Sequence, residues 1–179
     1  MAKKYNSIER YLQSYGKFIV RQARRILQKR TASGKLSKSL KYKVVKDKDG
    51  YDLKFLSAKY GDYIQKGVSG TQVSRSYIGI DGKRKQSPFR YRSGVGNAPN
   101  IGALMKWISR KNIRGRDDLG RFIKTKSLAY LFSKSIQRKG IKAASFYSQP
   151  ISFSFNKFKK EMLANFKQDV LNNIKAFKK

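Results

Sequence analysis

The sequence predicts an α+β fold: long N- and C-terminal helices packed on a small antiparallel sheet, with a helical and loop insertion between them. Three observations predict it. Apolar residues recur at three- and four-residue spacing at both ends of the chain. They alternate with polar residues on either side of Asp47-Lys48-Asp49-Gly50. Gly, Ser, Arg and Lys crowd residues 68–102. The 179 residues fit a single domain, 1–179, in which 68–126 is the insertion, with a long basic loop and a Trp-bearing helix.

The first helix is expected over residues 7–30, where Ile8, Tyr11, Leu12, Tyr15, Ile19, Ala23, Ile26 and Leu27 share a face. Asn6 or Ser7 can cap it, and Glu9 suits the positive end of its dipole. Arg21, Arg24, Arg25, Lys29 and Arg30 crowd the second half, where the dipole favours cations, and Thr31-Ala32-Ser33-Gly34 ends it. A short segment, 35–40, carries Leu36 and Leu40 four residues apart. A hairpin follows, with Leu40, Tyr42 and Val44 on one arm and Tyr51, Leu53 and Phe55 on the other. Residues 58–66 read as a short helix or helical turn that stops at Gly67.

Residues 68–102 read as a long loop, with room for a small hairpin turning at Asp81-Gly82. A helix over 101–112 carries Leu104, Trp107 and Ile108, a loop is expected over 113–125, and a helix over 127–139 carries Leu128, Leu131, Phe132 and Ile136. Residues 145–154 are expected to be extended around Pro150. The last helix is expected over 155–177, with Phe158, Met162, Phe166, Val170, Leu171, Ile174 and Phe177 as its apolar face.

Charge is the strongest global signal. The chain holds 43 Lys+Arg against 10 Asp+Glu, a formal net charge of +33 spread along its whole length, and this invites an acidic partner. There is no Cys and no His, which removes thiol nucleophiles, disulfides, most zinc sites and the usual general base at neutral pH. No run of about 18 apolar residues occurs, so no membrane partner is expected. The N-terminal stretch lacks the apolar core of a signal peptide.

Enzymatic chemistry has few residues to draw on, and no catalytic residue, cofactor or metal is expected. Asp47 and Asp49 fall in a turn, where Asp is favoured for backbone reasons. Asp117-Asp118 lies beside Arg114, Arg116 and Arg121, and reads as local neutralisation in preference to a metal site. The basic segments are better candidates for contact with DNA or another anionic partner: Arg21, Arg24 and Arg25 on the first helix, and Lys83, Arg84, Lys85, Arg90 and Arg92 in the Gly-flanked loop. Each can equally be a solvated face. Tyr60, Tyr63 and Trp107 are read as core or subunit-interface residues.

Several segments resemble one family in order along the chain. Ser33-Gly34-Lys35-Leu36-Ser37-Lys38-Ser39-Leu40 is similar to the stretch that follows the first helix of tail-completion (neck, head–tail connector) proteins of tailed bacteriophages. Tyr60-Gly61-Asp62-Tyr63-Ile64-Gln65-Lys66-Gly67, with Thr71 downstream, resembles that family's next motif, although Gln65 stands where the family often has Glu. The segments Ala103 to Trp107, Ile136-Gln137-Arg138-Lys139-Gly140-Ile141, and Phe146 look like its Trp-bearing helix and the approach to its last helix. The resemblance implies a structural virion protein, made in the host cytoplasm and assembled as a ring between portal and tail proteins. Such a ring leaves a channel for genomic DNA, which it contacts without sequence specificity. The charge with interleaved aromatics leaves a second class open, a nucleic-acid-binding protein of ribosome-associated or architectural type.

Overall fold

The computed structural model describes residues 6–28, 34–47, 50–94 and 96–177. The fold is α+β. In chain order it comprises α1 (Asn6–Gln28), α2 (Lys35–Ser39), β1 (Lys41–Asp47), β2 (Gly50–Leu56), α3 (Gly61–Lys66), β3 (Ser76–Ile78), β4 (Arg84–Gln86), α4 (Ile101–Arg110), α5 (Thr125–Lys139) and α6 (Ser148–Phe177). Helices α1 and α6 pack along each other and β1–β2 lies on α1. The expected residues 29–33 and the turn at 48–49 lie outside the described residues.

The 3.6-residue period of α1 does what its pattern predicts: Ile8, Leu12, Ile19, Val20, Ala23 and Leu27 are buried. The second half of this stripe builds the main core with Leu36 of α2, Leu40, Ala144 and Phe146. Antiparallel pairing in β1–β2 sets Tyr42 opposite Phe55 and Val44 opposite Leu53, so the alternating residues share one half-buried face. A two-stranded hairpin is marginal by itself and needs a packed face. Gly16 provides the close approach, because a Cβ there would run into the Tyr42 ring. That explains a glycine in mid-helix, where it costs about 1 kcal/mol relative to alanine.

Tyr147 closes the open end of the hairpin. Its hydroxyl donates toward the Leu56 carbonyl at 2.8 Å and lies 3.3 Å from that of Lys41, and its ring sits 5.2 Å from that of Phe55. Burial pushes this phenol up to about 12, outweighing the opposing pull of Arg24; Tyr11 is likewise pushed up to about 12 by burial and by Glu161. A folded-state value raised above the unfolded one means that the unfolded chain loses its proton first. Stability from these tyrosines is therefore intact below about pH 10 and lost as pH rises toward 12. Tyrosinate absorbance followed against pH should show a late-ionising phase that shrinks by one tyrosine in Tyr147→Phe, with Tyr11 remaining, together with a loss of about 1 kcal/mol in denaturant unfolding.

A second, smaller core lies between the insertion and α5. Ile108 of α4 packs on Leu128 and Ala129 of α5, with Leu104, Ile113, Ile123 and Phe132 around them. Trp107, a core or subunit-interface residue by sequence, lies on the rim of this core: it is 37% exposed and meets Phe132 edge-on at 5.8 Å. Ile108 takes the inner position of the helix face instead.

Two more sequence expectations need correction. Residues 145–154 are not extended, because α6 begins at Ser148 and holds Pro150 in its first turn. Proline is accepted there, since the first N–H groups of a helix have no internal acceptor. The expected apolar face of α6 is divided: Phe158 and Met162 are half-buried, whereas Leu171 and Ile174 are about half exposed. The side chain of Phe177 lies outside the described residues. The start of α1 is also held from elsewhere in the chain. Ser7 and Ile8 donate their backbone N–H groups to the Asp169 carboxylate at 3.1 and 3.0 Å, so the acceptor comes from α6. The small hairpin foreseen near Asp81-Gly82 is present as β3–β4.

Candidate functional site

Three of the segments that resemble the phage family, 60–67, 136–141 and the stretch around Phe146, meet at one junction. Residues 64–69, at the end of α3 and beyond, run beside residues 141–148, before and into α6. Val68 and Ile141 exchange backbone hydrogen bonds of 2.9 and 2.7 Å, and the N–H groups of Ala144 and Ser145 donate to the carbonyls of Ile64 and Gln65. The Gln65 amide completes the seam. Its Oε1 accepts from the Tyr147 N–H at 3.0 Å and its Nε2 donates to Ser148 Oγ at 2.6 Å. Ser148 in turn donates to the Ile78 carbonyl, and the Ile78 N–H donates to Ser145 Oγ at 3.0 Å. Thus one side chain ties α3, β3 and α6 together.

This network explains why an amide serves at residue 65. It must accept on one side and donate on the other, which an ionised carboxylate cannot do. Gln65→Glu is expected to destabilise the fold by about 1–3 kcal/mol at neutral pH, with partial recovery in acid as the carboxyl gains a proton to donate. Thermal unfolding of the variant across pH checks this. Equal stability to the parent at neutral pH would show that the seam does not depend on the amide donor.

The predicted anion contacts do not form a single site. Arg24 is structural: its Nε donates to the Ser37 carbonyl at 3.2 Å and its terminal nitrogen to that of Leu40 at 3.1 Å, so it pins the C-terminal end of α2 to α1. Arg21 lines a groove of about 500 Å³ between α1 and α6, with Tyr15, Lys17, Phe18, Lys157 and Phe158. Arg25 is exposed in the last turn of α1.

Lys85 faces a different groove, of about 740 Å³, with Phe55, Tyr77, Tyr147 and Phe155, and pairs with Asp81 at 3.0 Å. That pair is solvent-exposed and adds little stability. The Lys85 ammonium is the first cause that holds the Asp81 carboxyl below the usual range. Lys83 and Arg84 are exposed on the β3–β4 hairpin. Arg90 reaches Ser74 Oγ at 3.3 Å, and the chain at Arg92 is held by Gln137, whose Nε2 donates to the Arg92 and Gly94 carbonyls at 3.0 Å. Among the described residues, Arg21 and the 83–92 cations therefore serve separate surfaces.

Tyr60 and Tyr63 were read as core or interface. They are 47% and 49% exposed, which excludes the core, and the Tyr63 ring lies 4.4 Å from that of Phe89. The feature missed in the sequence is the tip of the α4–α5 unit, where Arg116 and Phe122 pair as an isolated bridge. Asp117 organises this turn. Its carboxylate accepts from the N–H groups of Leu119 and Arg121 at 3.0 and 2.8 Å and from Arg121 Nε at 2.9 Å. The Arg121 N–H, with the guanidinium behind it, holds the Asp117 carboxyl below the usual range. A run of D-D-L-G between cations was the available signal, since Asp followed by Gly marks a turn.

Among the described residues no group of three or more His, Cys, Asp or Glu could hold a metal ion, and no helix is long and apolar enough to cross a membrane. Comparison of the chain with models of protein families, with curated proteins and with solved structures finds no match.

Proposed function

We propose that this chain is a structural subunit of a ring in the neck or tail-completion region of a tailed-phage virion, joining the portal side of the head to the tail around a passage for the genome. The observation that carries the reading is that the fold leaves building surfaces unfinished. Leu163, Leu171 and Ile174 are 55%, 52% and 49% exposed on α6. Among the described residues, β1 and β2 pair only with each other, so the hairpin keeps two open edges. Apolar faces and open edges of this kind are liabilities in a monomer and are removed by closure of a ring. The sequence motifs support the same reading, because three of the stretches that resemble the family, 60–67, 136–141 and that around Phe146, meet at the Gln65 junction.

The large positive charge supports contact with DNA along such a passage, by neutralising phosphates without base reading. The reading assigns the chain no catalytic role. The test replaces Leu163, Leu171 and Ile174 together by Glu. The variant should keep the helical circular dichroism of the parent and fail to enter particles. Particles that take up the triple variant as readily as the parent would contradict the proposal.

A further inference from the structure

We propose that the tip of the α4–α5 unit, residues 110–126, is a nucleic-acid contact that engages backbone phosphates through a pre-ordered set of cations. It holds seven cations, Arg110, Lys111, Arg114, Arg116, Arg121, Lys124 and Lys126, against Asp117 and Asp118. All seven are exposed. The Asp117 carboxylate is engaged with the N–H groups of Leu119 and Arg121 and with the Arg121 guanidinium, so its charge is spent on the turn.

The tip is ordered before any partner arrives. The Asp117 N–H donates to the Arg121 carbonyl and the Gly120 N–H to that of Asp117, both at 2.9 Å. The Arg116 guanidinium donates to the Gly120 carbonyl at 2.7 Å and lies 4.2 Å from the Phe122 ring centroid, with that of Arg114 at 5.8 Å. Phe122 therefore fixes two guanidiniums, which reduces the side-chain entropy lost when they meet phosphate.

A merely solvated turn does not account for this composition. Lys124 and Lys126 stand at the N-terminal end of α5, which has no acidic residue in its first turn, and the helix dipole disfavours cations there. Leu119 is 75% exposed and Phe122 58%, so the tip also presents apolar surface between its charges. Cations interleaved with aromatic and aliphatic groups suit a sugar–phosphate backbone, with its charged and apolar faces. The cations sit on a turn and not along a helix or ribbon that could lie in a groove, so the binding proposed is to backbone phosphates, independent of sequence. The proposal does not depend on ring formation; a chain that binds DNA through this tip and never closes a ring would uphold it.

The experiment measures fluorescence anisotropy of a labelled random-sequence DNA duplex and of labelled poly(dT), across a salt series, with the full chain. One variant carries Lys111→Gln, Arg114→Gln, Lys124→Gln and Lys126→Gln. A control removes the same charge from α6, through Lys159→Gln, Lys160→Gln, Lys167→Gln and Lys175→Gln. The tip variant should lose at least about tenfold in affinity, and its log–log salt slope should shrink by about three to four for the duplex and about three for the single strand. The control should change less than about threefold, with a slope change below about one.

Trp107 emission checks folding, because this single tryptophan packs on Phe132 between α4 and α5. Should the fourfold variant shift that emission, Lys124→Gln with Lys126→Gln replaces it, with an expected slope change of about two. An unchanged tip variant, or equal losses in tip variant and control, would overturn the proposal. So would a tip variant that loses binding to polyglutamate while keeping its grip on DNA, which would assign the tip to an acidic protein surface.

Discussion

Asp169→Ala is expected to destabilise the fold by about 2–4 kcal/mol, read as a shift in the denaturant midpoint. Asp169 is 2% exposed, and its two carboxylate oxygens accept the N–H groups of Ser7 and Ile8 at the start of α1. Removing the carboxylate leaves one buried and one part-buried donor without this acceptor and takes a negative charge from the positive end of a helix dipole. Asp169→Asn retains one acceptor and turns an amide donor toward the other N–H, so a smaller loss of about 1–3 kcal/mol is expected. The order Ala worse than Asn, with both well below the parent, separates a cap from simple packing. Ile8, buried beside this cap, should lose amide-exchange protection first. An Asp169→Ala protein as stable as its parent would show that the carboxylate does not hold the end of α1.

Gly140→Val is expected to be at least as severe, at about 3 kcal/mol or more. Gly140 ends α5 at φ +70, in the left-handed region that disfavours side chains, and its N–H donates to the Ile136 carbonyl at 2.7 Å. A Cβ on it would also meet the Val68 carbonyl and, at 2.5 Å, the Gly70 nitrogen. These are backbone atoms of the strand-like seam that joins 68–70 to 138–141, so no flexible side chain can move aside. The backbone conformation alone accounts for about 1–2 kcal/mol, and the overlap adds to it. Gly140→Ala should show most of the effect, because the first carbon is already the one that collides. The measurement is thermal or denaturant unfolding. A mild effect from alanine would mean that the seam is open enough to yield.

What could be read in the sequence is what repeats along it. Helix α1 was legible because Ile8, Leu12, Ile19, Ala23 and Leu27 return with the helical period and face one core. The hairpin was legible because Tyr42, Val44, Leu53 and Phe55 alternate, and that alternation sets the observed pairing. The start of α6 was not, because Pro150 carries the same letter in an extended segment as in a first helical turn. Asp169 lay hidden for a related reason: a carboxylate among apolar residues reads as a solvated position until its partner, 161 residues away in sequence, is known.

The candidate site was legible only in part. Charge density pointed to Arg21, Arg24 and Arg25 together, yet their roles diverge with their neighbours: Arg24 holds two α2-end carbonyls, while Arg21 faces a groove. Asp117 was read as a neutralising charge, and it does pair with Arg121, but its larger part is as an acceptor for backbone N–H groups that shape the tip. The polar seam at Gln65 depends on atoms brought in from residues 78, 145, 147 and 148, a juxtaposition that no local pattern records.

The most direct test is electron cryomicroscopy of particles that contain this chain, with the density traced at the junction of head and tail. The account predicts several copies closed into a ring there, with the exposed apolar residues of α6 and an edge of the β1–β2 hairpin against neighbouring subunits. A chain located elsewhere in the particle, or present as isolated single copies with these surfaces in solvent, would contradict it.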